Sequence, residues 1–338
     1  MSEPLLEVND LRVHFFTDEG VVKAVDGVDL TIERGKTLCL VGESGCGKSV
    51  ASRAFLKIVH SPGRIVSGRM LYHRRLPDGS TQDIDIAQLP ERGKEIRKIR
   101  GKEISMIFQE PMSSLSVMHT VGNQIMETLI LHEAISKQAA RARAIDLLRQ
   151  VEIPRPDRIV DEYPFRLSGG MRQRAMIAMA LACNPTLLIA DEPTTALDVT
   201  VQAQILRLLL DLRDTTGLAI ILITHDLGIV AQTCDTVAVM YAGRVIERAR
   251  KRVLLENPLH PYTKGLTDSQ PGGMTPHEPL PSIPGQPPAL SNLPPGCRFH
   301  PRCRLAGAPC REGSPPLVQV ADNHVSACIK WRELAAAS

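Results

Sequence analysis

The sequence predicts an α/β fold with a mainly parallel sheet, built behind a loop suited to holding phosphate. Two observations carry this. Short apolar runs (Thr37–Val41, Ile104–Phe108, Leu187–Ala190, Ala219–Thr224) alternate with longer stretches of helical period, the pattern of strands buried on both faces. Directly after the first run stands Gly42-Glu43-Ser44-Gly45-Cys46-Gly47-Lys48-Ser49, which reads G-x-x-x-x-G-K-S, and a helical stretch, Ala51–Val59, follows it. At 43% hydrophobic residues, the 338-residue chain has ample material for a packed core.

Strand, glycine loop and helix together turn that motif into a mechanism. The glycines let the backbone curl so that successive N–H groups face phosphate oxygens, and the helix start adds its positive dipole end. Lys48 is placed to reach the β- and γ-phosphates, and the Ser49 hydroxyl to ligate Mg²⁺.

Ahead of the loop, residues 5–35 alternate apolar and polar positions, which fits two or three strands with a turn near Asp18-Glu19-Gly20. Phe15 and Phe16 stand out because aromatics make up only 3% of the chain; either ring could stack on a purine or serve as a core aromatic. Past the loop, Pro77-Asp78-Gly79-Ser80 predicts a hairpin turn within 65–89. The basic run Glu91–Lys102 reads as a solvated helix face. Gln109 follows the strand Ile104–Phe108, where an amide can reach a metal ion and an attacking water. Residues 120–160 carry helical periods at Val121, Ile125, Met126, Leu129 and Ile130, and at Ala144, Leu147, Leu148 and Val151. Pro154, Pro156 and Pro164 end that pattern.

Four further signals follow. Leu167-Ser168-Gly169-Gly170-Met171 runs into a helix expected from Arg172 to Cys183; Ser-Gly-Gly there is a second phosphate nest or an N-cap with glycines. Leu187–Ala190 leads into Asp191 and Glu192. Asp191 fits the Mg²⁺ position, and Glu192 could polarise a water for attack on the γ-phosphorus. Thr195-Ala196-Leu197-Asp198 opens a helix expected to reach Leu210. The strand Ala219–Thr224 ends at His225, whose imidazole could donate to a γ-phosphate oxygen or be structural.

These motifs, GESGCGKS, Gln109, LSGGM, LLIADE with ALD, and His225, stand in one order over about residues 5–255. Together they resemble the nucleotide-binding subunit of ABC transporters. The resemblance implies a P-loop NTPase (RecA-like) core, an antiparallel β-subdomain, and an α-helical subdomain over about 111–170, all within 1–255. It implies ATP and Mg²⁺, with Gly42 to Ser49 and Phe15 binding nucleotide and Ser49, Gln109 and Asp191 holding the metal. Lys48, Gln109, Glu192 and His225 would be catalytic, while Ser168, Gly169 and Gly170 would act in trans on a second ATPase subunit, identical or not. Met171 departs from the family's glutamine, a change backbone N–H groups and Ser168 should tolerate.

From Leu254 the composition turns rich in proline and glycine, and 256–338 reads as a small C-terminal extension. Asn257-Pro258-Leu259-His260-Pro261-Tyr262-Thr263 and the upstream run EYPFRLSGGMRQRAMIAMAL resemble oligopeptide/dipeptide importer ATPases. That implies import of peptides, or alternatively of nickel or another small solute. It also implies two transmembrane permease subunits, an extracytoplasmic substrate-binding protein, and a peripheral place at the cytoplasmic face of the inner membrane. Cys297, Cys303, Cys310 and Cys328 have the spacing C-x5-C-x6-C-x17-C. So short a segment buries little apolar surface and needs a staple. The spacing lacks tight C-x2-C knuckles and leaves an iron–sulfur cluster, one Zn²⁺ and free thiols open; the resemblance favours a [4Fe–4S] cluster. His300 and His324 are possible substitute ligands.

Composition bounds the rest. A net charge of +3 makes no case for nucleic acid. The start MSEPLLEVND lacks a signal-peptide pattern, and no apolar run approaches the ~20 residues of a membrane span, so a soluble or peripheral protein is expected. The eight cysteines are then expected as thiols or metal ligands rather than disulfides, with Cys39, Cys183 and Cys234 as packing residues and Cys46 open to alkylation. A soluble ABC ATPase acting on nucleic acid is the rival: its DNA-repair type needs a long coiled coil, and the interval between the phosphate motifs carries no sustained heptads. A redox-sensing regulatory subunit is opposed by the intact Glu192 and His225.

Overall fold

The alternating segment after residue 3 does form two long strands. In the computed structural model, which describes residues 3–109, 114–195, 197–270 and 282–336, Pro4–Thr17 and Gly20–Glu33 flank a turn at 18–19. The chain divides into two units, each assembled from discontiguous stretches.

One unit holds residues 89–223 with short pieces near 1–3 and 33–36. Ile104–Ile107 pairs in parallel with Leu187–Asp191, which pairs in parallel with Ala219–Thr224. Every residue of the last two strands is buried, as expected of strands covered on both faces. Helices Val121–Glu133 and Lys137–Gln150 begin at Thr120 and Ser136, whose side chains accept from Asn123 N and Ala139 N, each satisfying an otherwise orphan donor. Their expected apolar faces are buried, with one exception. Ile130 is exposed, because the stripe narrows to Val121, Ile125, Met126 and Leu129. The basic run forms the helix Lys94–Ile99, which buries Ile96 and Ile99 and leaves its charges outward. The helical subdomain expected from about 111 begins at residues outside those described.

The second unit holds residues 4–32, 37–88 and 224–338. Its four-stranded sheet has the order Gly20–Glu33, Pro4–Thr17, Gly63–Arg75, Thr81–Asp85, with the last two forming the expected antiparallel hairpin. Elsewhere Thr37–Val41 runs parallel to Thr236–Tyr241, which turns back as Arg244–Arg250. Arg244–Arg250 in turn receives His324–Ser326 from the C-terminal extension.

A buried carboxylate anchors that extension. Glu247 is fully buried and accepts from Leu259 N at 2.6 Å, His260 N at 3.0 Å and His324 Nε2 at 2.7 Å. Burying a charge is tolerable only when hydrogen bonds replace its water, and here three donors do so. His324 Nε2 is thus committed to Glu247, and the ring is buried here, outside the residues that line the cysteine cavity. Cys39 and Cys234 are joined as a disulfide, with Cα atoms 5.8 Å apart, correcting their expected role as separate packing thiols. They are 195 positions apart in sequence, so local context gives no sign of the pairing. Cys183 does behave as expected: it is buried, and desolvation pushes its thiol up to about 11.

Candidate nucleotide-binding site

The phosphate loop leaves a strand with no exposed residue, Thr37–Val41, and enters the helix Lys48–Phe55. Two of its glycines are required by close approach. A Cβ at Gly42 would collide with Met240 O, and one at Gly47, where φ is +104°, with Ala24 O. Backbone at positive φ with no room for a side chain is a glycine position. Lys48 is buried to 5% exposure. Its Nζ donates to Gly42 O at 2.7 Å and Glu43 O at 3.0 Å, so the ammonium sits over the curl of the loop on neutral acceptors that phosphate oxygens can replace. Cys46 is buried, and desolvation, partly offset by Lys48, pushes its thiol above the usual range. Thiolate supply governs alkylation, so burial works against the alkylation expected of Cys46. Glu43, Ser44, Gly45 and Cys46 line a cavity of about 300 Å³ together with Tyr241 and Pro287–Leu290.

Of the two phenylalanines, Phe16 is the more exposed and lies under the Arg64 guanidinium, 4.0 Å from the ring centroid. Phe15 lies against Gly63, where a Cβ would meet its ring at 2.6 Å. His225, in the same unit, is exposed at the end of its strand. Asp226 beside it caps the helix Leu227–Thr233 by accepting from Gly228 N and Ile229 N.

The other motifs belong to the first unit. Asp191 is 1% exposed at the end of its strand. The chain then turns through Glu192 with φ +47°, a left-handed conformation uncommon for a residue with a side chain. The Glu192 amide donates to Ile223 O at 3.0 Å. Its carboxylate accepts from Gln109 Nε2 at 3.1 Å and Thr195 Oγ1 at 2.9 Å. Two residues singled out 83 positions apart therefore meet, and Thr195 fixes the carboxylate from the other side. Ser168 is the N-cap of Gly169–Ala180, accepting from Met171 N at 3.3 Å. The helix thus starts three residues before the expected Arg172. Ser168 and Gly169 are exposed. Asp198 caps Val199–Thr216, which runs past the expected Leu210 to a left-handed Gly217.

Cys297, Cys303, Cys310 and Cys328 line one small cavity with His260, Phe299 and His300. Burial, with the neighbouring thiols adding to it, pushes Cys328 up to about 12, and desolvation also raises Cys297 and Cys303. Among the described residues no three His, Cys, Asp or Glu side chains are set to hold one metal ion. Among them, too, no helix is long and apolar enough to cross a membrane.

A phosphate loop after a buried strand, an Asp-Glu pair closing another, and a capped Ser-Gly-Gly helix start define an ATP-hydrolysing cassette. Residues 25–195 match the ABC transporter family, and residues 246–310 match the oligopeptide/dipeptide transporter C-terminal region. A probable peptide ABC transporter ATP-binding protein of Sinorhizobium fredii is 48% identical over 98% of this chain and 96% of its own length. The oligopeptide transport ATP-binding protein AppD of Bacillus subtilis is 49% identical, covering 97% of both. A dimeric ATP-binding cassette solved with ADP and Pi superposes with a TM-score of 0.62 at 27% identity, over 73% of this chain and 99% of that one. The chain belongs to the ABC transporter family, as an ATP-binding protein carrying the oligopeptide/dipeptide C-terminal region.

Proposed function

We propose that the chain hydrolyses ATP to power import of di- and oligopeptides through separate permease subunits, working from the cytoplasmic face of the inner membrane with a second ATPase subunit and an extracytoplasmic binding protein. What carries the reading is the joint presence of the phosphate loop and a C-terminal region shared with peptide transporters along nearly the whole chain. In this mechanism the loop amides and Lys48 grip the polyphosphate, with adenine stacked on Phe15. Ser49, Gln109 and Asp191 would hold Mg²⁺, whose charge offsets that developing on the phosphate oxygens. Glu192 accepts a hydrogen bond from the attacking water, and Gln109, already bonded to that carboxylate, orients it. His225 donates to a γ-phosphate oxygen. Ser168, Gly169 and Gly170 of this chain serve the site of the second ATPase subunit, where exposed N–H groups at a helix start suit an anion.

Glu192→Gln tests the assignment. General-base catalysis contributes about 10²–10⁴-fold, so turnover in the assembled transporter should fall by that factor while ATP affinity holds. Near-normal steady-state hydrolysis would remove Glu192 from the role. Uptake of a labelled dipeptide by proteoliposomes checks the cargo, and uptake of nickel without peptide would overturn it.

We further infer that the four C-terminal thiols hold a [4Fe–4S] cluster. Supporting this, all four line one cavity, and cysteine sulfur is the soft ligand that iron–sulfur clusters take. Bound, it would replace the weak apolar packing of a proline-rich segment with metal–sulfur bonds. Anaerobic purification should give iron and sulfide near four each per chain, with broad visible absorbance; stoichiometric zinc or metal-free thiols would refute it.

A further inference from the structure

We propose that the C-terminal extension positions the phosphate loop of its own chain, with Arg302 and Tyr262 acting on Glu43 as positioning residues for ATP binding. Glu43 is the second residue of the loop, and the extension holds it at two points. Arg302 Nη1 donates to Glu43 Oε2 at 2.7 Å and Nη2 to Oε1 at 3.0 Å, a bidentate pairing that fixes direction as well as distance. Tyr262 Oη accepts from the Glu43 amide at 2.9 Å.

Neither partner is a loose surface group. Arg302 is 8% exposed. Its Nε donates to Pro284 O at 2.9 Å, its Nη1 also reaches Tyr241 Oη at 3.4 Å, and its guanidinium lies over the rings of Tyr241 and Phe299. Tyr262 is fully buried, its ring 4.6 Å from that of Tyr241 and 5.4 Å from that of Phe299. The extension therefore orients both side chains before they meet the loop. Exposed ion pairs contribute little, but this one is mostly out of water.

The consequence reaches Lys48. Glu43 offers its carboxylate and amide to the extension and its carbonyl to Lys48 Nζ at 3.0 Å. The residue that the extension grips is thus the one on which the phosphate-binding ammonium rests. Two effects favour ATP. The loop is ordered before nucleotide arrives, so less ordering cost falls on binding. Arg302 also neutralises a carboxylate that would otherwise oppose the incoming polyphosphate. Pro287–Leu290 of the extension line the loop's cavity, and Leu290 O accepts from Lys23 N at 3.1 Å, which ties that wall down.

The test is performed on the full chain in its assembled transporter, with a fluorescent ATP analogue for Kd and steady-state hydrolysis for KM and kcat. Arg302→Ala should raise Kd and KM about tenfold with kcat changed less than threefold, because the hydrolytic groups are untouched. Glu43→Ala combined with Arg302→Ala should bind ATP better than Arg302→Ala alone, since the unpaired carboxylate is gone. Arg302→Lys should recover part of the loss. Tyr262→Phe deletes one hydroxyl without altering the ring, and should raise Kd a few-fold even if the arginine variants fold poorly. Arg141→Ala, which breaks an exposed pair with Asp161, should leave both constants unchanged. Kd in Arg302→Ala and Tyr262→Phe within twofold of the parent overturns the proposal. So does a loss confined to thermal stability, or a double variant no better than Arg302→Ala. The inference rests on the loop being the ATP site, and the outcomes separate: no nucleotide binding by the parent chain would fail that reading, whereas normal binding by the variants fails only this one.

Discussion

Replacing Glu247 with alanine should release the C-terminal extension locally rather than unfold the chain. The carboxylate is fully buried, and its removal strands the amides of Leu259 and His260 and the ring nitrogen of His324. Each unsatisfied buried donor costs about 1–3 kcal/mol. Water entering the truncated space recovers part of that, so the lower end of the range applies to each donor. The total is about 3 kcal/mol, the low end for breaking a buried charged partnership, which corresponds to somewhat more than 10²-fold more frequent opening. Hydrogen exchange read by mass spectrometry on peptides covering 257–263 and 324–326 measures this directly, because local openings report their own free energy. Protection there should collapse by two to three orders of magnitude, while the strand Leu187–Asp191 of the other unit keeps its protection. Glu247→Gln, which retains an acceptor oxygen but turns an amide donor toward an existing donor, should fall between. Protection within tenfold of the parent in Glu247→Ala would refute the anchoring role.

Two other perturbations follow from packing and charge. At Gly170 an added Cβ would lie 2.8 Å from Val201 Cγ1, so Gly170→Ala should cost about 1–3 kcal/mol of overpacking. Val201→Ala in the same chain should return most of it, and a melting curve unaffected by Gly170→Ala would contradict the contact. Asp26 is buried, which alone would raise its pKa, but Arg298, with Arg244 and Arg12, holds the carboxyl below its ordinary value of 3.8. A depressed carboxylate contributes stability that is present above its unfolded pKa and lost as pH falls through the folded one. Urea midpoints should therefore drop below about pH 4 in the parent. In Asp26→Asn they should be lower at neutral pH and flatter through that acid range; parallel curves would show that Asp26 is not responsible.

What could be read in the sequence, and what could not, divides by the range of the interaction. Runs such as Leu187–Ala190 and the loop Gly42–Ser49 announce themselves because their chemistry is local: burial on both faces selects apolar residues, and a tight curl selects glycine. The same holds for Ser168 and Asp198, whose caps satisfy amides three positions onward. Helix ends are less legible: Gly169 reads as a breaker until Ser168 caps it, and the helix runs past Leu210 because Gly217 supplies the left-handed stop. Pairings between distant residues left no such trace. Arg302 looks like any arginine between a proline and a cysteine, yet its partner Glu43 lies 259 positions earlier. Glu247 belongs to no motif in the sequence, and only the fold buries it. Tyr262 stood within a stretch singled out for its resemblance to peptide-importer ATPases, but that likeness carried no role for its hydroxyl. A segment too poor in apolar residues to build a core of its own is held here by a carboxylate from one strand, and through Arg302 and Tyr262 it holds the loop of another. The extension therefore belongs to the architecture of the phosphate loop, and variants at its anchor should be assayed for nucleotide affinity as well as for stability.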